Sequence, residues 1–412
     1  MADPTPKSRE ERIGILKGII EDLHAGADIE GLKRRFAHLI EDVQAPEIAR
    51  MEQRLVEEGM PPEQIKELCD VHVEVFKESL ERQKAPEAQP GHPVHTFQAE
   101  NAALTAVADE FVAALEALGS PPTDAALVDA KDTLTELLGR LATVDAHYLR
   151  KENQLFPFLE KHGVSGPTQV MWAIHDDIRA LLKKTRAALE SGGAAQAVST
   201  GLEAAKTLKE MIYKEEKILF PMSLDALSET EWAEIRAGED ELGYSLVAPG
   251  EGWRPADAGP GQAPAAAPEP LSAAPGGRVP LSTGALTPEQ VDLLLLNLHL
   301  DVSFVDENDE VRYYSATKER IFPRSPGIVG RKVQNCHPPD SVHTVNKILE
   351  AFKSGAKDSA DFWIAIRGGL VYIRYFAMRD ADGNYRGTLE ISQDVTGIRE
   401  LEGEQRLLDW ED

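Results

Sequence analysis

Two stretches of this chain repeat one another. His147-Tyr-Leu-Arg-Lys-Glu-Asn-Gln-Leu-Phe-Pro157 and Met211-Ile-Tyr-Lys-Glu-Glu-Lys-Ile-Leu-Phe-Pro221 align over eleven positions at a constant offset of 64. They lie within four runs of helical periodicity, Pro93–Leu118, Asp124–Lys161, Thr168–Ser191 and Ala194–Leu227. Turn signals at Gly119–Pro122, Gly163–Pro167 and Gly192-Gly193 separate the runs. The spacing predicts an up-down-up-down four-helix bundle, with the repeats on the second and fourth helices, parallel and diagonally opposed. A pseudo-twofold axis then relates His147 to Met211, Lys151 to Glu215 and Glu152 to Glu216. Pro157 and Pro221 each remove a backbone N–H inside these helices, so a kink or early stop is expected at both.

Helices so arranged aim side chains at one centre. The first helix adds His92, His95 and Glu100, and the third adds His175 in Trp172-Ala-Ile-His175-Asp-Asp. Histidines and carboxylates from four facing helices suit iron, manganese or zinc. Three arrangements remain open. One is a mononuclear or asymmetric metal site built on His95, His147, His175 and Glu215. Another is a two-metal site that also recruits His92, Glu152 and Glu216. The third is a metal-free polar core in which Lys151 compensates the carboxylates.

The blocks on either side differ in character. Residues 8–82 read as four short helices, the last with Ile65, Leu68, Cys69, His72 and Phe76 on one face. Cys69 and His72 are therefore a candidate ligand pair, although a buried apolar cysteine beside a satisfied histidine explains them as well. Residues 248–280 hold 8 prolines and few large apolar side chains, which predicts a disordered Pro/Ala/Gly linker between the bundle, 92–243, and a third domain, 286–400. In that third block the period changes to two. Val302–Val305 and Val311–Tyr314 read as a hairpin, Val342–Phe352 as an amphipathic helix, and Phe362–Ile366, Val371–Met378 and Gly387–Gln393 as strands. A helix is expected over Thr396–Trp410. Cys336-His337 precedes the amphipathic helix in a loop and is a candidate cofactor contact, with a plain Pro338-Pro339 turn as the alternative. The fold class is thus multidomain and mainly α, ending in a small α+β domain with a five-stranded antiparallel sheet.

Charge narrows the functional classes. Seventy acidic against 44 basic residues give a formal net charge of −26, which argues against nucleic acid or anionic membrane as the main partner. No apolar run approaches the roughly 20 residues of a transmembrane helix, so a cytoplasmic location is expected. Two cysteines cannot build a disulfide framework.

Three resemblances follow from these residues. His92-Pro-Val-His95, His147…Glu152-x-x-Leu-Phe-Pro157, His175-Asp and Glu215-Glu216-x-x-Leu-Phe-Pro221 resemble the hemerythrin HHE cation-binding family over about 150 residues. That likeness implies a non-haem di-iron bundle reacting with oxygen, nitric oxide or peroxide. Many members carry Glu four residues after the second-helix His, where this chain has Lys151, and His where it has Met211. The third block resembles a PAS domain, through its hairpin, helix, closing strands and final Gln393-Asp-Val-Thr396. That implies a sensory or dimerising module, whose pocket ligand (haem, flavin or none) is not readable here. The first block, through Leu68-Cys-Asp-Val-His72 and Ala45-Pro-Glu-Ile-Ala49, is similar to a helical family of unknown function (domain of unknown function 438 type).

Together these lead to the expectation of a metal-binding, iron-based sensor that couples a small gaseous or redox ligand to a protein partner, with pairing through the PAS module. A non-haem iron oxidoreductase and a metal-free scaffold are the alternatives. No catalytic residue is assigned.

Overall fold

Where a helix begins in this protein, a side chain or a proline usually marks the spot. The structure, a computed structural model, describes residues 88–254 and 277–403 apart from 282, 318, 319 and 367, with isolated positions between 14 and 81. The expected helices of 8–82, Cys69 and His72 among them, lie outside the described residues, as do 255–276 of the expected linker. By its contacts the chain divides into two units, Met1–Gly261 and, but for Pro338–Asp340, Gln262–Asp412.

In the first unit the long helices are α1 (Pro93–Glu116), α2 (Asp124–Ala142), α5 (Gly166–Ser191) and α6 (Ala194–Lys214). Each packs on two others in a ring, α1 on α2 and α6, α5 on α2 and α6. Their buried stripes are aliphatic and aromatic: Phe97, Leu104 and Phe111 from α1, Leu134 and Leu141 from α2, Ile178 from α5, and Leu208 and Met211 from α6. Thr123 caps α2 by accepting from Ala126 N–H, and left-handed Gly192 ends α5. Gln53, from the first block, caps α5 by accepting from the backbone N–H groups of Ser165 and Gly166 at 2.9 and 2.7 Å.

The expected second and fourth helices are each interrupted at the same place. After α3 (Val144–Arg150) the chain makes a π-helical turn, Lys151–Leu155, before α4 (Phe156–Lys161). After α6 it makes a second π turn, Glu215–Leu219, before α7 (Phe220–Ala226). Pro157 and Pro221 follow these turns in α4 and α7. Proline has no N–H to donate and its ring crowds the carbonyl four residues back, so the backbone widens just ahead of it. A further helix, α8 (Glu229–Leu242), opens on a capping box of Ser228 and Glu231 that the periodicity alone did not separate. The first residues of the expected linker pack instead of hanging free: Trp253 N–H donates to Pro90 O at 2.8 Å and its ring packs on the bundle core.

The second unit opens with a small hairpin, β1 (Val279–Leu281) and β2 (Gly284–Leu286), then α9 (Pro288–Leu296), neither of which was expected from the sequence. Its sheet comprises β3 (Asp301–Asp306), β4 (Val311–Tyr314), β5 (Ser359–Ile366), β6 (Gly369–Arg379) and β7 (Tyr385–Asp394). The strands are antiparallel in the order β4-β3-β7-β6-β5, and α10 (Pro339–Lys353) lies between β4 and β5 in sequence. The last described helix, α11, covers only Thr396–Arg399 of the expected Thr396–Trp410. Gly387 pairs with Asp306 where β7 lies against β3. Its φ is +145°, and a Cβ there would stand 2.2 Å from Val305 O. Gly387→Ala is therefore expected to destabilise this unit by about 2–3 kcal/mol in urea unfolding, since neither backbone can yield without breaking the ladder.

Candidate metal centre

The two π turns place the repeated segments' polar residues inside the bundle. A π turn takes more residues per revolution than an α turn, so adjacent residues reach one interior face. Lys151 and Glu152 are both buried, as is Glu215 on the opposing turn. Glu152, which lies about 140° from His147 on an ideal α-helix, does turn inward.

The result is one continuous chain of charge. His147 Nδ1 lies 2.7 Å from Glu100 Oε2, and its Nε2 lies 2.9 Å from Glu215 Oε2. Carboxylate oxygens thus flank the His147 ring at both nitrogens. The Lys151 ammonium donates to Glu215 Oε1 and, at 2.9 Å, to His175 Nε2. His175 Nδ1 then donates to Glu152 Oε1 at 2.7 Å, and Glu152 accepts two further bonds from Arg179 at 2.8 and 3.1 Å. At the other end the Arg150 guanidinium donates to Glu100 and to Glu239, the latter at 3.3 Å, while Ser245 N–H completes Glu100 at 2.6 Å. Phe97 and Tyr244 cover the Arg150 guanidinium, each 4.6 Å from ring centroid to Cζ. Tyr148 stacks on His175 at 3.9 Å and receives Lys151 Nζ over its face at 4.5 Å.

Burial and pairing set the protonation of this chain. Burial alone would raise Glu215, but Lys151 and His147 outweigh it and hold the carboxyl at about 2. Burial raises Glu152 to about 7 against the pull of Arg179, and raises Glu239 to about 7 against Arg150 and Arg236. Burial, reinforced by Lys151, keeps His175 well below its usual value, so the ring is neutral and free to accept from the ammonium. Burial also lowers Lys151, an effect that Glu215 opposes.

Of the sequence-derived candidates, His147, His175, Glu152 and Glu215 meet here. His92 and Glu216 have other partners. His92 caps α1, its Nδ1 accepting from Val94 N–H at 3.1 Å, and is held between Trp232 and Trp253 at 4.7 Å each. Burial, with His95 adding to it, lowers His92 to about 4, in keeping with a neutral capping acceptor. Glu216 is bound by Gln98 and Asn101 at 3.2 and 3.0 Å. His95 is half-buried with no hydrogen-bond partner at Nδ1. Arg150, Arg179 and Glu239 were not foreseen. Arg150 had a signal within the repeat, since a basic residue stands at 150 and Lys214 at the matching position.

The second unit has its own cavity, about 240 Å³, between α10 and the sheet, lined by Ile348, Phe362, Ile373, Tyr375, Glu390 and His337 among others. Tyr375 Oη donates to Glu390 Oε1 at 3.4 Å. Of the candidate pair, His337 reaches this cavity and bonds Val333 O at 2.8 Å. Cys336 instead packs with Val305, Val311 and Ile328 in the core, its Sγ turned to Lys332 O at 3.6 Å.

A helical ring with buried histidines and carboxylates, followed in the chain by a five-stranded sheet and helix around a cavity, defines a hemerythrin-type domain with a PAS-type domain behind it. Family comparison agrees. Residues 92–223 match the hemerythrin HHE cation binding domain, 291–396 a PAS domain, and 16–82 a family of unknown function (DUF438), so the chain carries these three in that order. Among solved structures, a C-terminal domain from Streptococcus mutans is 35% identical, covering 30% of this chain and 97% of that one with a TM-score of 0.29. A PAS domain from Colwellia psychrerythraea is 14% identical over 26% of this chain and 97% of its own, TM-score 0.22. The PAS domain of Bordetella pertussis BvgS is 14% identical over 27% and 88%, TM-score 0.23. A comparison with curated proteins returned no match.

The two domains suggest a metal-binding signalling protein, and the hemerythrin HHE match implies a cation site, usually for iron. The side chains were tested against that implication. Both nitrogens of His147 and of His175 are engaged, Glu215 is shared between His147 and Lys151, and Glu152 is held by His175 and Arg179. Among the described residues no group of three or more His, Cys, Asp or Glu is arranged to hold a metal ion. His95 Nδ1, Tyr148 Oη and Glu239 Oε2 are buried without a hydrogen-bond partner, but they belong to no such group. These residues, as they stand, do not fit an iron centre.

Proposed function

We propose that this is a cytoplasmic signalling protein whose hemerythrin-type bundle and PAS module act through contacts with other proteins. PAS domains commonly mediate dimerisation or protein interaction, and a PAS match stands in this chain. No helix among the described residues is long and apolar enough to cross a membrane.

The observation that carries the reading over an oxidoreductase is the closure of the bundle centre. Glu100, His147, Lys151, Glu152, His175 and Glu215 are each at most 2% exposed, and their polar atoms are bound to one another. Turnover needs a reactive group that meets substrate, and this arrangement turns each of these six side chains on a protein partner. An iron centre that answers oxygen, nitric oxide or redox state would have to draw on the same donors, which the protein already uses. Full-length protein with an added reductase and NADH is therefore expected to consume nitric oxide or hydrogen peroxide no faster than buffer. Sustained multiple turnover by the purified chain would overturn the signalling reading in favour of the enzyme.

A further inference from the structure

We propose that Lys151 is the resident cation of this bundle: its buried ammonium bridges Glu215 and His175, donors that a metal would need, and it makes the domain independent of metal. The inference deepens the signalling reading and rests on it only for the bundle's role.

Three observations support it independently. The first is position. Lys151 Nζ bridges Glu215, from one repeated segment, to His175 Nε2 on α5, and is itself fully buried. The second is charge. Within the chain of contacts, Glu100, Glu215, Glu152 and Glu239 already face the Lys151 ammonium and the Arg150 and Arg179 guanidinium groups. A divalent ion added beside Lys151 would set two further positive charges against an ammonium already buried in a medium of low polarity. The ion would have to displace Lys151 from Glu215 and His175.

The third observation is the repeat itself. One segment keeps the histidine and replaces the carboxylate (His147, Lys151), while the other keeps the carboxylate and replaces the histidine (Met211, Glu215). The two replacements are complementary: the retained histidine and carboxylate bond each other across the bundle, Lys151 joins them, and Met211 is a fully buried apolar residue. His147 of one segment and Glu215 of the other bond directly, and Lys151 takes the second oxygen of that carboxylate.

The test is a titration of the full-length, chelator-stripped protein with cobalt(II), read by visible absorption and by calorimetry. The wild type is expected to show no ligand-field bands and no saturable binding up to several equivalents. Lys151→Glu, and Lys151→Glu combined with Met211→His, are expected to bind about one equivalent at least 100-fold more tightly than the wild type. One or two equivalents bound by the wild type at micromolar affinity would overturn the proposal. So would a folded Lys151→Glu protein that binds no better than the wild type. A measurement on the wild type alone keeps the question open to refutation if the variants do not fold. The Lys151 ammonium should give a slowly exchanging 15N NMR signal that excess paramagnetic cobalt(II) leaves unbroadened, and loss of that signal on adding cobalt would contradict the proposal. The turnover assay and this titration can fail separately, so the two readings are distinguishable.

Discussion

Lys151→Met is expected to lower the stability of the first unit by about 3–5 kcal/mol, the range for removing one partner of a buried ion pair. Methionine matches the length of the lysine stem but brings no donor. Glu215 then keeps His147 as its only partner, and His175 Nε2 is left facing an apolar group. Both losses fall in a fully buried site, where stranded polar groups are not rescued by water. Replacing Lys151 and Glu215 together by methionine should cost less than the two single changes combined, with a coupling of about 2–3 kcal/mol in a double-mutant cycle. Urea unfolding of the four proteins measures it. A single-variant cost below about 1 kcal/mol, typical of a surface pair, would mean that Lys151 is solvated rather than buried.

The pH dependence of stability is the second large effect. Glu215 has a folded value of about 2, below its ordinary 4.5, so its contribution is present above 4.5 and lost as pH falls toward 2. For this buried group the difference corresponds to about 3 kcal/mol. His92, lowered to about 4, and His175, held well below its usual value by burial, also lose stability as pH falls, beginning below 6.5 where the unfolded chain takes up their protons. Glu152 and Glu239 act in the opposite sense. Raised to about 7, they bind protons in the folded state first, and so add stability as pH falls from 7 to 4.5. Between pH 4.5 and 6.5 the two pairs offset each other. The expected profile is nearly flat from pH 7 to 5 and steep below about 4.5. Urea midpoints across that range check it, and Glu215→Gln should shorten the acid limb while lowering the plateau.

The large features of this architecture were legible because they repeat or because they alternate. The duplication marked the two helices that carry the site, and the period-2 runs marked β3 to β7, β4 with its bounds and the other four strands two or three residues short. The prolines were read as kinks, and the structure shows the specific form, a π turn ahead of each. That form decides the site, because it turns both Lys151 and Glu152 inward. Periodicity at 3.6 residues has no means of expressing it.

The histidines were the harder part. His92 reads as a ligand from its place beside His95, yet its work is done by a ring nitrogen that caps a helix and by a face held between Trp232 and Trp253, 140 or more residues away. Cys336 shows the same gap in the second unit: its neighbour His337 reaches the cavity, while the thiol faces the core. Such distinctions depend on which way one side chain leaves the backbone, and on partners distant in sequence. Arg150 and Glu239 went unremarked for the same reason, since nothing local joins them.

The most direct measurement of the central claim is elemental analysis of full-length protein, purified anaerobically from iron-supplemented cells. A bundle centre filled by Lys151 predicts less than about 0.1 equivalent of iron, manganese or zinc per chain, and an unfolding midpoint that a strong chelator leaves unchanged. One or two equivalents of a transition metal, removed by chelation together with a fall in that midpoint, would contradict it.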